Sequence, residues 1–77
     1  MNVDIITPDK SLYSGEAKEV SLPGIDGSLG ILDRHAPLIS ALKAGVIKLN
    51  TGSEERTFDI KGGVAEVLNN KLIVLAE

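Results

Sequence analysis

His35 is the only histidine of the chain, and it is the side chain best suited to proton transfer near neutral pH. A general base needs a hydroxyl to activate or a carboxylate to orient it, both held in a cleft. Asp33 lies two residues away and six serines are scattered along the chain, but no Gly-x-Ser-x-Gly elbow and no second histidine accompany them. The simpler reading of His35 is a loop histidine that makes a hydrogen bond or an interface contact. The glycines at 24, 27 and 30 invite a second chemistry, phosphate binding. A dinucleotide loop requires Gly-x-Gly-x-x-Gly between a strand and a helix, and a P-loop requires a Gly-Lys-Ser/Thr ending. Neither pattern is present, and Asp26 within the loop repels phosphate. Tight turns that shape an exposed loop are the better reading, and such a loop can serve as a contact surface.

Lys71 follows Asn69-Asn70, a dipeptide suited to a two-residue hairpin turn. A lysine at a hairpin tip is where small all-β carrier domains of lipoyl or biotinyl type hold their modification. The flanking Asn70 and Leu72 are not the methionines or acidic residue such a domain carries, so a solvated strand lysine is the plainer reading. The apolar stretch Ala36-Pro37-Leu38-Ile39-Ser40-Ala41-Leu42 needs no function if it is core. Pro37 confines it to an edge or bulge, however, and an apolar edge is where a partner docks. Pattern alone leaves core and interface both open.

The elements that position these residues are strands. Val3, Ile5 and Thr7 alternate with Asn2, Asp4 and Ile6 over about 2–7, and Thr7-Pro8-Asp9-Lys10 is turn chemistry. Leu12-Tyr13 opens a short segment ending at Ser14-Gly15. Lys18, Val20 and Leu22 oppose Ala17, Glu19 and Ser21 in a strand that Pro23-Gly24 breaks. Residues 24–30 read as loop, with Asp26-Gly27 as its tight-turn dipeptide. Leu29 and Ile31 begin another strand, ended by Asp33. The stretch from His35 to Lys43 fits an extended segment better than two turns of helix. Val46–Asn50 and Arg56–Ile60 pair across Thr51-Gly52-Ser53. Lys61-Gly62-Gly63 marks a bend, and Val64–Leu68 and Lys71–Ala76 close the chain across Asn69-Asn70. Eight or more short strands at such spacing indicate an all-β sandwich or barrel.

The chain has 77 residues, with 43% hydrophobic, 25% charged and 3% aromatic. One domain is the expectation, and a chain of this size buries only about 60% of its unfolded surface, so its core leaves a thin margin. No cysteine is present, which excludes a disulfide framework, thiolate zinc and thiol catalysis; one histidine excludes a multi-His metal site. A partner is the remaining means of stabilising so small a unit. The net charge of −3 and the lack of a basic patch with stacking aromatics argue against nucleic-acid binding. The longest apolar run, Leu72 to Ala76, is too short to span a bilayer, and the first residues lack the basic start of a signal peptide. The expectation from these features is a cytosol-like compartment, unless processing removed a leader.

Several segments resemble the epsilon subunit of F-type ATP synthase. They are Ile6-Thr7-Pro8-Asp9-Lys10, Tyr13-Ser14-Gly15-Glu16, Leu22 through Leu32, His35-Ala36-Pro37-Leu38-Ile39, Leu42-Lys43-Ala44-Gly45-Val46-Ile47, Lys61 through Val67, Asn69-Asn70-Lys71 and Ile73-Val74-Leu75-Ala76. The resemblance covers essentially the whole chain, through the order and spacing of these segments. It implies a ten-stranded β-sandwich spanning 1–77. It also implies a non-catalytic rotor subunit of the central stalk, with no cofactor. Such a subunit binds the gamma subunit and the membrane ring of c subunits, peripheral to the cytoplasmic face of a bacterial inner membrane, and couples proton flow to ATP synthesis. Gly27, Ser28 and Leu29 then correspond to the c-ring contact, and Thr7, His35, Leu38 and Ser40 to the side facing gamma. Ser28 stands where many members place a carboxylate, which weakens the case for a salt bridge there. Members of that family usually continue into a C-terminal helical hairpin, for which 1–77 has no counterpart, so self-inhibition and ATP binding are not expected of these residues.

Overall fold

The computed structural model describes all 77 residues, as seven β-strands and no helix. They are β1 (Asn2–Ile6), β2 (Ser11–Glu16), β3 (Glu19–Gly24), β4 (Gly27–Leu32), β5 (Leu38–Asn50), β6 (Glu55–Leu68) and β7 (Lys71–Ala76). They form one hydrogen-bonded sheet in the order β2-β1-β7-β6-β5-β3-β4. Every neighbouring pair is antiparallel except β1 with β7.

Two strands make this sheet a sandwich. A straight strand of 13 residues runs about 43 Å, yet the molecule is 25 Å in its longest dimension, so β5 and its 14-residue partner β6 must fold over. Their pairing keeps one register from Leu38↔Val67 to Asn50↔Glu55, with only Ala44 and Lys61 left unmatched between, but the inward-facing parity changes partway. Leu42 is buried in the first half of β5, and Ile47 and Leu49 in the second. Ile60 is buried before Gly62-Gly63, and Ala65 and Val67 after it. Since side chains alternate with a period of two, a parity change without a register slip marks the passage from one layer to the other. Gly62 and Gly63 sit at φ 154° and 150°, a conformation side chains rarely adopt. Opposite them, the β3–β5 ladder runs from Glu19↔Asn50 to Ser21↔Lys48 and resumes only at Gly24↔Leu42. Pro23 in that gap has no N–H to donate, and it packs against Gly45, where an added Cβ would lie 2.8 Å from the Pro23 Cβ.

One layer is therefore β2-β1-β7 with the second half of β6 and the first half of β5. The other is the first half of β6, the second half of β5, β3 and β4. Their inner faces share a single core of 16 buried residues, with Val3, Ile5, Leu72 and Val74 from the first layer and Val20, Leu22, Ile31, Ile47 and Leu49 from the second. No polar side chain is buried. The all-β sandwich expectation holds. The ten-strand count becomes seven strands, or nine segments when β5 and β6 are each divided where they change layers.

The local expectations fared unevenly. Asn69 and Asn70 sit at φ 51° and 59° between Leu68 and Lys71, the two-residue type I′ turn their identity favours. Thr7 to Lys10 close a turn through the Thr7 N–H to Lys10 O bond of 2.8 Å. The stretch 38–43 is extended, as read. Residues 24–30 are not a loop: β3 and β4 pair up to Gly24↔Gly27 and leave only Ile25-Asp26 as the turn. Gly27, rather than a central turn residue, takes the positive φ of 137°. Glycines without side chains tolerate this close pairing, so a glycine-rich run that looks like loop forms a tight hairpin.

Candidate docking surfaces

His35 lies half-buried between β4 and β5. Its backbone N–H donates to Leu32 O at 3.2 Å, and its Nδ1 is 2.7 Å from Ala36 O. A carbonyl only accepts, so Nδ1 carries the proton in this arrangement. No hydroxyl or carboxylate bonds the ring, and Asp33 is instead paired with the Met1 α-ammonium. His35 lines none of the four surface depressions of the molecule. No group of three His, Asp or Glu side chains converges in metal-binding geometry. Lys71 is the first residue of β7, while Asn69 and Asn70 occupy the turn tip. Its Nζ lies 3.8 Å from Asp4 Oδ2, an ion pair along the sheet face. The geometry thus gives the carrier reading a strand lysine rather than a presented one.

The Gly24–Gly27 hairpin projects Ile25, 59% exposed, and Asp26 at its tip, with Gly27 and Ser28 exposed beside them. Leu29 turns the other way and packs against the core. Of Gly27, Ser28 and Leu29, the structure thus presents the first two to solvent and uses the third as an anchor. The Ile25 N–H donates to Ala41 O at 3.0 Å, which ties the tip to β5.

The more telling surface was not read from the sequence. On the outer face of the first layer, Ile6 is opposite Leu75, Leu75 opposite Val64, and Val64 opposite Ala41. That is an apolar row across four strands, and Leu75 is 57% exposed. Ile39, 73% exposed, and Leu68 lie on the same face, opposite Glu66 and Lys71 respectively, so charge borders the row on that side. The outer face of the second layer carries Glu19, Ser21, Lys48, Thr57 and Asp59, with Leu32 and Val46 as isolated apolar residues among them. All four surface depressions also lie on the first layer. A contiguous apolar row of this kind is what an interaction surface presents.

Thr7, His35, Leu38 and Ser40 are not brought together. Thr7 sits with Ile6 and Leu75 beside one depression at one corner of the apolar face. His35 and Leu38 lie toward the opposite corner, three strands across. Leu38 and Ser40 have inward parity and are half-buried, and Ile39 and Ala41 present outward at those positions. The four residues border the apolar face rather than compose it. The signal for the face was present as paired apolar neighbours, Ile5-Ile6, Val64-Ala65, Val67-Leu68 and Ile73-Val74-Leu75. A strand with apolar residues at both parities is covered on both sides.

The comparisons with known proteins agree on this architecture. A family model described as the ATP synthase delta/epsilon chain β-sandwich domain matches residues 1–77. Proteins named ATP synthase epsilon chain are similar: one from Gloeothece citriformis is 47% identical over 97% of this chain, one from Desulforamulus reducens 44% over 97%, and one from Chlorobium limicola 46% over 97%. The chain spans about half of the first two relatives, at 54% and 57% of their length, and 86% of the third. Among solved structures, a chain from the central stalk and c-ring of Tetrahymena thermophila mitochondrial ATP synthase superposes with a TM-score of 0.85 at 23% identity, covering 99% of this chain and 62% of that one. A chain of Euglena gracilis mitochondrial ATP synthase superposes with 0.89 at 17%, covering 96% and 48%. At those identities the likeness is one of fold.

Proposed function

The chain belongs to the delta/epsilon-chain β-sandwich family of ATP synthase, and from that premise we propose that it is a non-catalytic rotor module of an F-type ATP synthase. Residues 1–77 form one β-sandwich domain that binds the gamma subunit on one side and meets the c-ring with another. It couples ion translocation to ATP synthesis by transmitting torque, and it is peripheral to the membrane as part of the complex, on the cytoplasmic face of a bacterial membrane. The observation that carries the reading is the family match over residues 1–77 combined with a contiguous apolar row across four strands on the outer face of the first layer.

The apolar row Ile6–Leu75–Val64–Ala41 is the docking surface for gamma, bordered by Thr7, His35, Leu38 and Ser40. The hairpin tip with Gly27 and Ser28 is the contact for the ring, held by Leu29 packed beneath it. The two surfaces meet where Ile25 N–H bonds Ala41 O, so a load on the hairpin passes directly into the sheet that docks gamma. Bound partners would also stabilise this small core by mass action. Titration of the domain with purified gamma subunit tests the reading: saturable binding that His35→Ala weakens while leaving the fold intact is the expected result. No binding of the wild-type domain to gamma overturns it. The lipoyl or biotinyl carrier reading finds no support in the family match or in these relatives, which are ATP synthase chains.

A further inference from the structure

The sheet has four free edges, and one is unguarded. The first half of β6 is flanked by Glu55, Arg56, Asp59 and Lys61, charges that discourage strand pairing. β2 carries a register shift opposite Ile5 and Ile6. β4 is short and bounded by Asp26 and Asp33. The first half of β5 has neither charge nor bulge over Leu38-Ile39-Ser40-Ala41.

The direction of its free backbone groups follows from one bond. Ala41 O accepts from Ile25 N–H, so the backbone groups of Ala41 point away from β6. Antiparallel ladders alternate, so Ile39 also points its N–H and C=O away from β6, into the open edge. No backbone hydrogen bond outside the ladder engages them. The opening is bounded by Pro37, which has no N–H, and by the Ile25–Ala41 bond. Beside it lies a groove lined by Pro37, Leu38, Ile39, Glu66, Val67 and Leu68, continuous with the apolar outer face through Ile39.

We infer that the edge at Ile39 receives an extended segment of the partner that docks on the apolar face, adding a strand to the first layer. The inference rests on the proposed gamma-binding reading and specifies its mode. The occupant is a strand whose backbone pairs with Ile39 N–H and C=O and whose alternate residues are apolar, to fill the groove beside Leu38 and Leu68. Continuity of the edge with the apolar face is what assigns both to one partner.

Amide hydrogen exchange of the domain, with and without purified gamma subunit, tests the mode. Slowing of the Ile39 amide by at least about tenfold in the complex is expected, as for an amide entering a ladder. An Ile39→Pro variant removes the donor without touching a β5–β6 bond, and roughly tenfold to a hundredfold weaker gamma binding is expected from the lost pairing. Ile39→Val, which keeps the donor and most of the side chain, should bind within a fewfold of wild type. Exchange at β6 amides reports whether the proline variant is folded, and the wild-type exchange result stands without it. Gamma binding with unchanged Ile39 exchange overturns the strand-addition mode and leaves the proposed function standing. Absence of gamma binding overturns both. Ile39 protection that appears without gamma and grows with domain concentration assigns the edge to a second copy of this chain, and overturns the inference as stated.

Discussion

Gly63 lies against the carbonyl of Leu75 so closely that a Cβ at position 63 would overlap the oxygen. Backbone is the obstacle, so no rotamer change relieves it, and the positive φ adds its own strain. Gly63→Ala should therefore cost about 3 kcal/mol or more, or prevent folding. Gly62→Ala shares the φ but meets Glu77 Oε1 only at 3.4 Å and Leu42 O at 3.6 Å, so it should cost clearly less. Urea unfolding midpoints of the two variants give the ranking; equal losses would mean that φ strain, not the Leu75 contact, sets the cost.

The turn at Asn69-Asn70 separates two contributions. Both residues have left-handed φ, but only Asn70 also accepts a hydrogen bond, from the Arg34 N–H to its Oδ1 at 2.7 Å. Asn69→Gly should be close to neutral. Asn70→Gly keeps the backbone conformation and loses the bond, at about 1 kcal/mol, whereas Asn70→Ala loses both and should cost about 2 kcal/mol. Thermal or urea denaturation resolves the series.

On the hairpin, Ser28 is the clean position for probing the proposed ring contact. It is exposed and has no side-chain bond to lose, whereas a side chain at Gly27 has open space but pays for φ 137°. Ser28→Arg should leave the stability of the isolated domain within about 0.5 kcal/mol. In reconstituted enzyme it should lower ATP-driven proton pumping. Gly27→Val should weaken both, because it also strains the turn. Pumping at the wild-type level with both substitutions in place would remove Ser28 and Gly27 from the ring interface.

For the apolar face, Leu75→Lys and Val64→Lys place charge in the middle of the row. Both side chains already face water, so the fold should lose no more than about 1 kcal/mol. Affinity for gamma should fall at least about tenfold, since buried charge without a partner is costly at an interface. A titration in which both variants bind gamma like the wild type would assign the row to something other than gamma.

How much of this was legible depends on the residue. Alternation at Val3-Ile5 and Val20-Leu22 marks strands, because one parity alone is buried. Asn-Asn and Pro-Asp mark turns because their backbone preferences are strong and local. At Gly24–Gly27 the turn was signalled by Asp26-Gly27, but the strand pairing that runs up to it was hidden, because glycine carries no strand signal. The length of β5 and β6 was hidden for another reason. A strand that crosses between layers changes parity, so Leu38–Leu42 and Ile47–Leu49 look like two elements when the backbone is one. The docking face was legible in principle, in the runs with apolar residues at both parities, but only the register shows that Ile6, Leu75, Val64 and Ala41 align. Tyr13 and Phe58, far apart in sequence, meet in space for the same non-local reason.

That last pair closes the sandwich at one side. Tyr13 is on β2, at the free edge of the first layer, and Phe58 is on the first half of β6, at the free edge of the second. Their ring centroids are 6.2 Å apart and the planes tilted by 59°. The Arg56 guanidinium lies 5.3 Å from each ring, and the Tyr13 hydroxyl donates to Glu16 O at 2.8 Å. These are the chain's only two aromatics, and together they tie two edges that share no ladder bond. Phe58→Ala and Tyr13→Ala should each destabilise the domain, with a coupling of about 0.5–1.5 kcal/mol in a double-mutant cycle. Arg56→Ala should cost less than about 1 kcal/mol, because the cation is exposed and water competes for it. Tyr13→Phe removes only the hydroxyl bond and should cost about 1 kcal/mol while the coupling to Phe58 persists. If the two alanine substitutions prove additive, the aromatic contact contributes nothing of its own, and the layers are held together on this side by the core beneath them alone.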